Sequence, residues 1–398
     1  MKAKQNSNHI KLRTIIIIMI ITAIVSGVTS GIIVYSSYGK SAGISYKTIN
    51  NDESLKEFLE MYNQITTEYY EDVNKEELIN AAISSMLDYL GDNYTTLMDS
   101  TETSLLYESL KGEYRGIGVY LQEDHKVAEV FEDSPAEAAG IMVNDEIIKV
   151  NNEDVTGKTA TEIASSIKES KLQEIQISVK RNNEVVDLTV ELSRLYVPAI
   201  SSEIVDKTNI GYLRIDTFSS TVSFQVKDTL EKFKKQNINS IIVDLRSNSG
   251  GFLSSAEEVA NLFIEKGKVI YSLQSKNYLK AIKDDSSNQT DYKMIVLIDE
   301  NTASAAEILA AALKDSYGAT LVGKKSYGKG KVQQTYRLNS GSMAKYTSAK
   351  WLRPNGECID GIGITPDYDV DLQFIKDKSG NITDVVDTQL DKAIELLS

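Results

Sequence analysis

The run INSIIVDLRSNSGGFLSSAEEVANLFIE, residues 238–265, decides the fold class. Ile238–Leu245 is a short apolar stretch, Arg246-Ser-Asn-Ser-Gly-Gly-Phe252 is a polar loop with two glycines, and Ser254–Glu265 reads as a helix. Strand, glycine-bearing loop and helix make the unit of a parallel sheet, because a parallel crossover needs a long return connection. The unit recurs downstream. Met294–Ile298 leads through Asp299–Ala303 to a helix at Ser304–Lys314, and Ala319–Gly323 leads into Lys324–Gly330. In open α/β sheets the working residues gather beyond the carboxyl ends of the strands. Three successive ends here deliver Gly250 and Gly251, then Ser304, then Lys329 between Gly328 and Gly330. A hydroxyl, a potential base and backbone amides bared by missing Cβ atoms are the parts acyl transfer needs.

Taken singly, each part has an ordinary reading. Ser304-Ala-Ala-Glu307 is an S-x-x-E capping box, a loop lysine is usually solvated, and paired glycines make a turn. Their joint appearance shifts the balance, as does the scarcity of histidine. Only His9 and His125 occur in 398 residues. Cys358 is the single cysteine, which excludes an intrachain disulfide and a cysteine-based metal site. With 43 basic against 57 acidic side chains the net charge is −14. No segment is dense enough in Lys and Arg to track a phosphate backbone, so nucleic acid is excluded as a partner.

The first forty residues predict the compartment. Thr14–Gly39 carries no charge and Ile15–Val34 is dense in Ile and Val, enough for the roughly 20 apolar residues of a membrane-spanning helix. Lys2, Lys4, Lys11 and Arg13 precede it, which keeps the N-terminus, with His9, in the cytoplasm and sends the remainder out. A cleaved signal peptide is the alternative, and either reading exports the chain. Beyond the linker Gly39–Asn51, Leu55, Phe58, Leu59, Tyr62 and Ile65 recur at helical spacing, as do Leu78, Ala81, Ala82 and Met86. This stretch, to about Leu110, shows no polar constellation and is read as packing or dimer contacts.

From Gly112 the pattern changes to short strands, with Ser134-Pro-Ala-Glu-Ala-Ala-Gly140 as a short helix, Asp145–Asn151 as a strand and a helix from Thr159 to Ser170. The S-P-A-x-x-A-G run followed by N-D-E-I-I-K-V-N resembles a PDZ domain over residues 112–192. The resemblance implies a groove that takes a peptide C-terminus by strand addition, with Gly116, Ile117 and Gly118 of Tyr114-Arg-Gly-Ile-Gly118 as the carboxylate loop. His125 lies between the first two strands and is read as a surface residue.

Asp244-Leu-Arg-Ser-Asn-Ser-Gly-Gly251, Asn301-Thr-Ala-Ser-Ala-Ala-Glu-Ile308 and Ser326-Tyr-Gly-Lys-Gly-Lys-Val-Gln333 resemble successive motifs of the carboxyl-terminal processing peptidases, peptidase family S41. Gly211-Tyr-Leu-Arg-Ile215, Arg353-Pro-Asn-Gly356 and Gly361-Ile-Gly-Ile-Thr-Pro-Asp367 add to the match. The resemblance, which runs from about Asp52 to the end, implies an α/β fold, a crotonase/ClpP-like protease core with an inserted PDZ domain; the N-terminal helical segment and one transmembrane helix read above complete the expected architecture. It divides the chain into a cytoplasmic N-terminus (1–13), a transmembrane helix or signal anchor (14–36), a linker and helical region (37–111), a PDZ domain (112–193), a protease core (194–372) and a C-terminal helical segment (373–398). Carried over by position, Ser304 is the nucleophile, Lys329 the general base and Gln333 the residue that orients it. The oxyanion hole falls to the amides of Gly250, Gly251 and Ala305. The chain departs from the family where Ser249 replaces a common proline, where Ala305 or Ala306 stands in place of a serine, and where Leu90-Gly-Asp-Asn93 replaces an L-D-P segment.

The chemistry asks that Lys329 lose its proton near neutrality. A lysine starts near ~10.4, and burial can lower it by up to ~3–5 units when no carboxylate pairs with it. Lys329 is therefore expected desolvated against Ser304, with Gln333 offering a neutral hydrogen bond. In an extended strand 329 and 333 share a face, but so does Lys331, and Lys324 and Lys325 are further rivals. The reading is an exported, membrane-anchored serine endopeptidase that needs no metal or cofactor, acts on proteins with an accessible C-terminus and forms a homodimer, with Leu390, Ala393, Ile394 and Leu397 as a packing or dimerisation helix. A PDZ scaffold that binds exported tails without cutting them is the alternative; it requires Lys329 exposed and protonated.

Overall fold

The computed structural model describes residues 52–287, 290–377 and 382–398. The chain divides into one unit of 111–198 and another that joins the N-terminal part to 199–398.

The larger unit is built on a six-stranded sheet. Ile200–Ile204 runs antiparallel to Ile210–Ile215, and then Ser240–Asp244, Lys293–Ile298, Thr320–Gly323 and Tyr368–Asp369 follow in parallel. Alternation sorts the side chains. Ile241, Val243, Val296, Ile298 and Leu321 face the helices Val222–Lys235, Leu253–Ala260 and Ala305–Ala312. Ile242, Ile295, Leu297 and Val322 face the other way, onto the helix Thr388–Leu397. Strands covered on both sides read as continuous apolar runs, which is why 241–243 and 294–298 are uniformly hydrophobic in sequence. The C-terminal helix spends Leu390, Ala393, Ile394 and Leu397 inside its own fold. The packing reading of that helix applies, and a homodimer through the same face has no support.

The repeating strand–loop–helix pattern does not account for a second, antiparallel sheet. Met343–Leu352 is its spine, flanked by Lys331–Arg337, Thr96–Met98 and Val269–Gln274, with Leu279–Lys283 outside the last. The pairings that bring Thr96–Met98 and Val269–Gln274 to the spine join residues far apart in sequence, Thr96 with Lys345 for example, so no local signal announces them. Lys329 belongs to the loop ahead of Lys331–Arg337, and the register shifts between Val332 and Gln333. A bulge breaks the two-residue period. The argument that 329 and 333 share a strand face therefore does not hold.

A buried ionic cluster ties the first parallel strands to the C-terminal helix. Arg246 donates to Asp244, which is wholly buried, at 2.6 Å and to Asp387, the helix N-cap, at 2.7 Å. Tyr212 donates its hydroxyl to Asp244 at 2.6 Å. Guanidinium suits such a site because its fork serves two carboxylates at once.

The N-terminal helices Glu53–Glu68 and Lys75–Tyr89 are capped by Asp52 and Asn74 and bury no residue fully. Among the described residues no helix is long and apolar enough to cross a membrane. The expected architecture is corrected on this point: a transmembrane helix is not part of the described fold, and residues 14–36, on which it fell, lie outside the described residues.

The smaller unit has a four-stranded sheet, Glu153–Asp154, Glu146–Val150, Glu174–Arg181 and Glu184–Glu191, with two strand pairs and the helices Pro135–Ala138 and Ala160–Glu169. Thr159 and Glu162 close a capping box on the longer helix. His125 is half-buried with a positive φ of 64°, and its Nε2 lies 2.6 Å from the carbonyl of Lys158. It is a turn residue tied to its own unit, which is not the unit that holds Ser304.

Candidate active site

Two loops at the ends of neighbouring strands converge on one carboxylate. Ser304 precedes the helix Ala305–Ala312 with φ 56° and ψ −116°, a conformation that costs a non-glycine residue ~1–3 kcal/mol and needs surrounding structure to hold it. The holding groups are identifiable. Ala303 N–H donates to the carbonyl of Asn248 at 2.9 Å, and Ser304 N–H donates to Glu307 Oε2 at 2.8 Å. The same Oε2 accepts Lys329 N–H at 2.9 Å. Oε1 accepts Gly328 N–H at 2.7 Å and the hydroxyl of Ser326 at 2.6 Å. One oxygen thus fixes the main chain at both Ser304 and Lys329. Glu307 is fully buried, and burial pushes its carboxyl above the usual range while the four donors pull it down. The S-x-x-E motif was legible, and its glutamate half forms; that the glutamate also clamps a second loop was not.

The serine hydroxyl is left uncommitted. Ser304 Oγ is buried and, among the described residues, has no hydrogen-bond partner. Lys329 is 2% exposed. Burial, then the charge of Lys345, lowers its amine to about 7 against the opposing pull of Glu307 and Asp92. Lys345 is itself buried, and its pKa is lowered by the same desolvation. No hydrogen bond joins Lys329 to Ser304 Oγ here, in contrast to the direct contact expected. Catalytic hydrogen bonds are often long before substrate closes the site. The glycines around Lys329 are packing requirements: a Cβ on Gly328 would sit 2.7 Å from Gly363 N, and one on Gly330 2.6 Å from Cβ of Asp360. Trp351 Nε1 donates to the Lys329 carbonyl at 2.9 Å and completes the cradle.

The rival lysines are placed differently. Lys331 pairs with Asp92 at 2.8 Å, which raises its pKa. Lys324 pairs with Asp369 and Asp371, each at 2.7 Å, and Lys325 is exposed. A scaffold with Lys329 exposed is not what folds. Gln333 is fully buried; its Nε2 donates to Thr347 Oγ1 at 3.3 Å and its Oε1 has no partner among the described residues.

Of the three amides expected at the oxyanion hole, that of Gly250 is engaged, donating to Asn248 Oδ1 at 2.8 Å. No hydrogen bond from Gly251 or Ala305 N–H occurs among the described residues. Gly250 favours the absence of a side chain: its φ is 111°, and a Cβ there would lie a tight 3.0 Å from Cβ of Ser304 and 3.2 Å from Ala305 N.

Asp92, Tyr94, Thr95 and Thr347 were missed. Asp92 Oδ2 accepts from Thr95 at 2.7 Å and from Thr347 at 2.5 Å, and the Tyr94 ring centroid lies 4.6 Å from Lys329 Nζ. The only signal was the altered Leu90-Gly-Asp-Asn93 segment. Among the described residues no group of three or more His, Cys, Asp or Glu side chains could hold a metal ion.

In the smaller unit Ile117 is buried and its carbonyl accepts Ala136 N–H at 2.8 Å, while the carbonyl of Gly118 accepts Phe131 N–H at 3.0 Å. Tyr114 folds over this loop. A Cβ on Gly116 would lie 2.4 Å from its ring.

Comparison with known sequences identifies the family. Peptidase family S41 matches residues 209–370, a PDZ domain matches 114–192, and the N-terminal domain of the activating protease CtpB matches 34–103. A probable CtpA-like serine protease of Staphylococcus epidermidis is 34% identical over 372 residues, covering 92% of this chain and 75% of that protein. Its counterpart in Staphylococcus haemolyticus is 33% identical over 373 residues, covering 92% and 75%. Among solved structures, a photosystem II D1 C-terminal processing protease aligns over 89% of this chain and 92% of its own, with 21% identity and a TM-score of 0.48. Identity at this level across nearly the whole chain, over an S41 match and a PDZ match, shows that the protein belongs to peptidase family S41, the carboxyl-terminal processing serine proteases.

Proposed function

We propose that Ser304 is the nucleophile and Lys329 the general base of an endopeptidase that cleaves proteins recognised near their C-termini. One observation carries the reading: a lysine 2% exposed, its amine lowered to about 7, shares Glu307 Oε2 with the main chain of a serine whose hydroxyl is unspent. Ser304 Oγ attacks the scissile carbonyl carbon as Lys329 takes its proton. The carbonyl oxygen gains charge and is met by the amides of Gly251 and Ala305. Lys329 then returns the proton to the departing amine, and water, giving a proton to the same base, releases the acyl group. The open Gln333 Oε1 is the acceptor for the transient ammonium. A neutral acceptor suits the task, since a carboxylate would hold the proton too firmly.

The sign of the pH dependence follows. The neutral amine is the working form, so kcat/KM rises with pH to a midpoint near 7, set by Lys329. Below it the rate falls about tenfold per pH unit. Cleavage of a peptide by the wild-type chain and by Ser304→Ala, across pH 5 to 9, tests both parts. Loss of cleavage in Ser304→Ala with a limb near 7 in wild type supports the reading, and a flat profile or an active Ser304→Ala sinks it.

Recognition of tails by the PDZ unit is supported by its match over 114–192 and the Gly116–Gly118 loop. A substrate whose C-terminal carboxylate is amidated should be cut more slowly, and equal rates would remove that role. We further place the catalytic part outside the cytoplasm, on the strength of Lys2, Lys4, Lys11 and Arg13 ahead of the uncharged Thr14–Gly39. Recovery of the full-length protein in the cytoplasmic fraction would contradict this.

A further inference from the structure

We propose that Tyr94 is a positioning residue for the Ser304–Lys329 pair, its ring roofing the lysine amine and shutting out water, on a loop that Asp92 locks in place. The proposal rests on Lys329 being the base. Tyr94 comes from the N-terminal part of the chain, far in sequence from both catalytic loops. Its ring centroid is 4.6 Å from Lys329 Nζ and 5.5 Å from Lys331 Nζ.

The loop has little freedom. Asp92 accepts from Lys331 Nζ at 2.8 Å, from Thr95 at 2.7 Å and from Thr347 at 2.5 Å. Thr347 N–H donates to Thr95 Oγ1 at 3.1 Å, and Thr96–Met98 then pairs with Met343–Lys345. Tyr94 sits inside this cluster, half-buried.

The cluster divides two lysines between two jobs. Asp92 is held as a carboxylate by Lys331 and the two threonine hydroxyls, so its charge is spent on Lys331 and only weakly felt by Lys329. The groups that face Lys329 are Lys345, Glu307 and Asp92, together with the Tyr94 ring. Those that face Tyr94 are Tyr327, Asp360 and Asp92, with Lys329 and Lys331 over its ring. A ring face attracts an ammonium, but less well than the water it displaces. Its net effect is to favour the neutral amine, and its removal restores the proton to Lys329.

The test is the pH profile of kcat/KM for peptide cleavage by the full-length protein, for wild type, Tyr94→Phe and Tyr94→Ala. Tyr94→Phe keeps the ring and should keep the acid limb in place. Tyr94→Ala should move the limb alkaline by about one pH unit or more, with kcat recovering at high pH and KM changed little. A Tyr94→Ala profile lowered evenly at all pH values, with its limb unmoved, overturns the proposal and leaves Tyr94 a structural residue. If Tyr94→Ala does not fold, Tyr94→Gln, which admits water with less loss of volume, carries the same expectation and the same refutation. Failure of the base assignment reads differently: wild type then shows no limb near 7, or Lys329→Ala retains activity, whatever Tyr94 does.

Discussion

Lys329→Ala lowers kcat/KM for peptide cleavage by about 10²–10⁴-fold, the usual contribution of a positioned base, while Lys331→Ala stays within about tenfold of wild type. The two lysines stand two positions apart and carry the same functional group. Their surroundings separate them. Lys331 is ion-paired and its proton is held, so it cannot serve as a base near neutrality. Lys329 is buried beside a second amine, Lys345, and the cost of desolvation outweighs the pull of Glu307 and Asp92. The same burial makes a stability prediction of opposite sign. Between about 7 and the ordinary lysine value the unfolded chain binds a proton that the folded chain does not. Stability therefore rises with pH through that window, and the penalty for burying the ammonium is complete below it. Lys329→Met removes the penalty and should raise the melting temperature at pH 7 while abolishing activity. Loss of activity together with lower stability would point to misfolding rather than to a missing base. If Lys331→Ala proved the inactive variant, the assignment would be wrong.

Glu307→Ala should be the most damaging single substitution at the site, since each buried donor left without its acceptor costs about 1–3 kcal/mol before the site relaxes. Four donors lose their acceptor at once: Ser304 N–H, Gly328 N–H, Lys329 N–H and the Ser326 hydroxyl. Glu307→Gln is no remedy, because an amide nitrogen in place of either oxygen would face donors that it cannot accept from. Ser304 would also lose the hydrogen bond that holds its strained backbone. Denaturant unfolding reads the loss directly. A Glu307→Gln variant with wild-type stability and activity would show that the clamp is dispensable.

The parallel sheet and its strand-end groups were legible because each depends on a local pattern. An apolar strand followed by a glycine loop and a helix is written in consecutive residues, and Ile238–Leu245 with Gly250 and Gly251 displays it in one run. Ser304 could be found because it opens a helix, and Lys329 because glycines flank it. The antiparallel sheet was not legible, since its spine Met343–Leu352 takes Thr96–Met98 and Val269–Gln274 from distant parts of the chain. Tyr94 was lost with it: a tyrosine following a helical stretch has no local signature of covering an amine that lies more than two hundred positions away. The bulge at Val332 and Gln333 defeated the period-two argument for the same reason, as register is set by pairing and not by composition. The engagement of Gly250 N–H by Asn248 is likewise a matter of loop geometry.

The central claim is that the Lys329 amine is neutral in a working fraction of molecules at neutral pH. The most direct measurement is an NMR titration of the lysine side-chain signals, with Lys329 identified by its absence in Lys329→Met. A midpoint near 7 is the result expected here. A midpoint near the ordinary ~10.4 would mean an amine in contact with water or acid, and the serine beside it would lack its base.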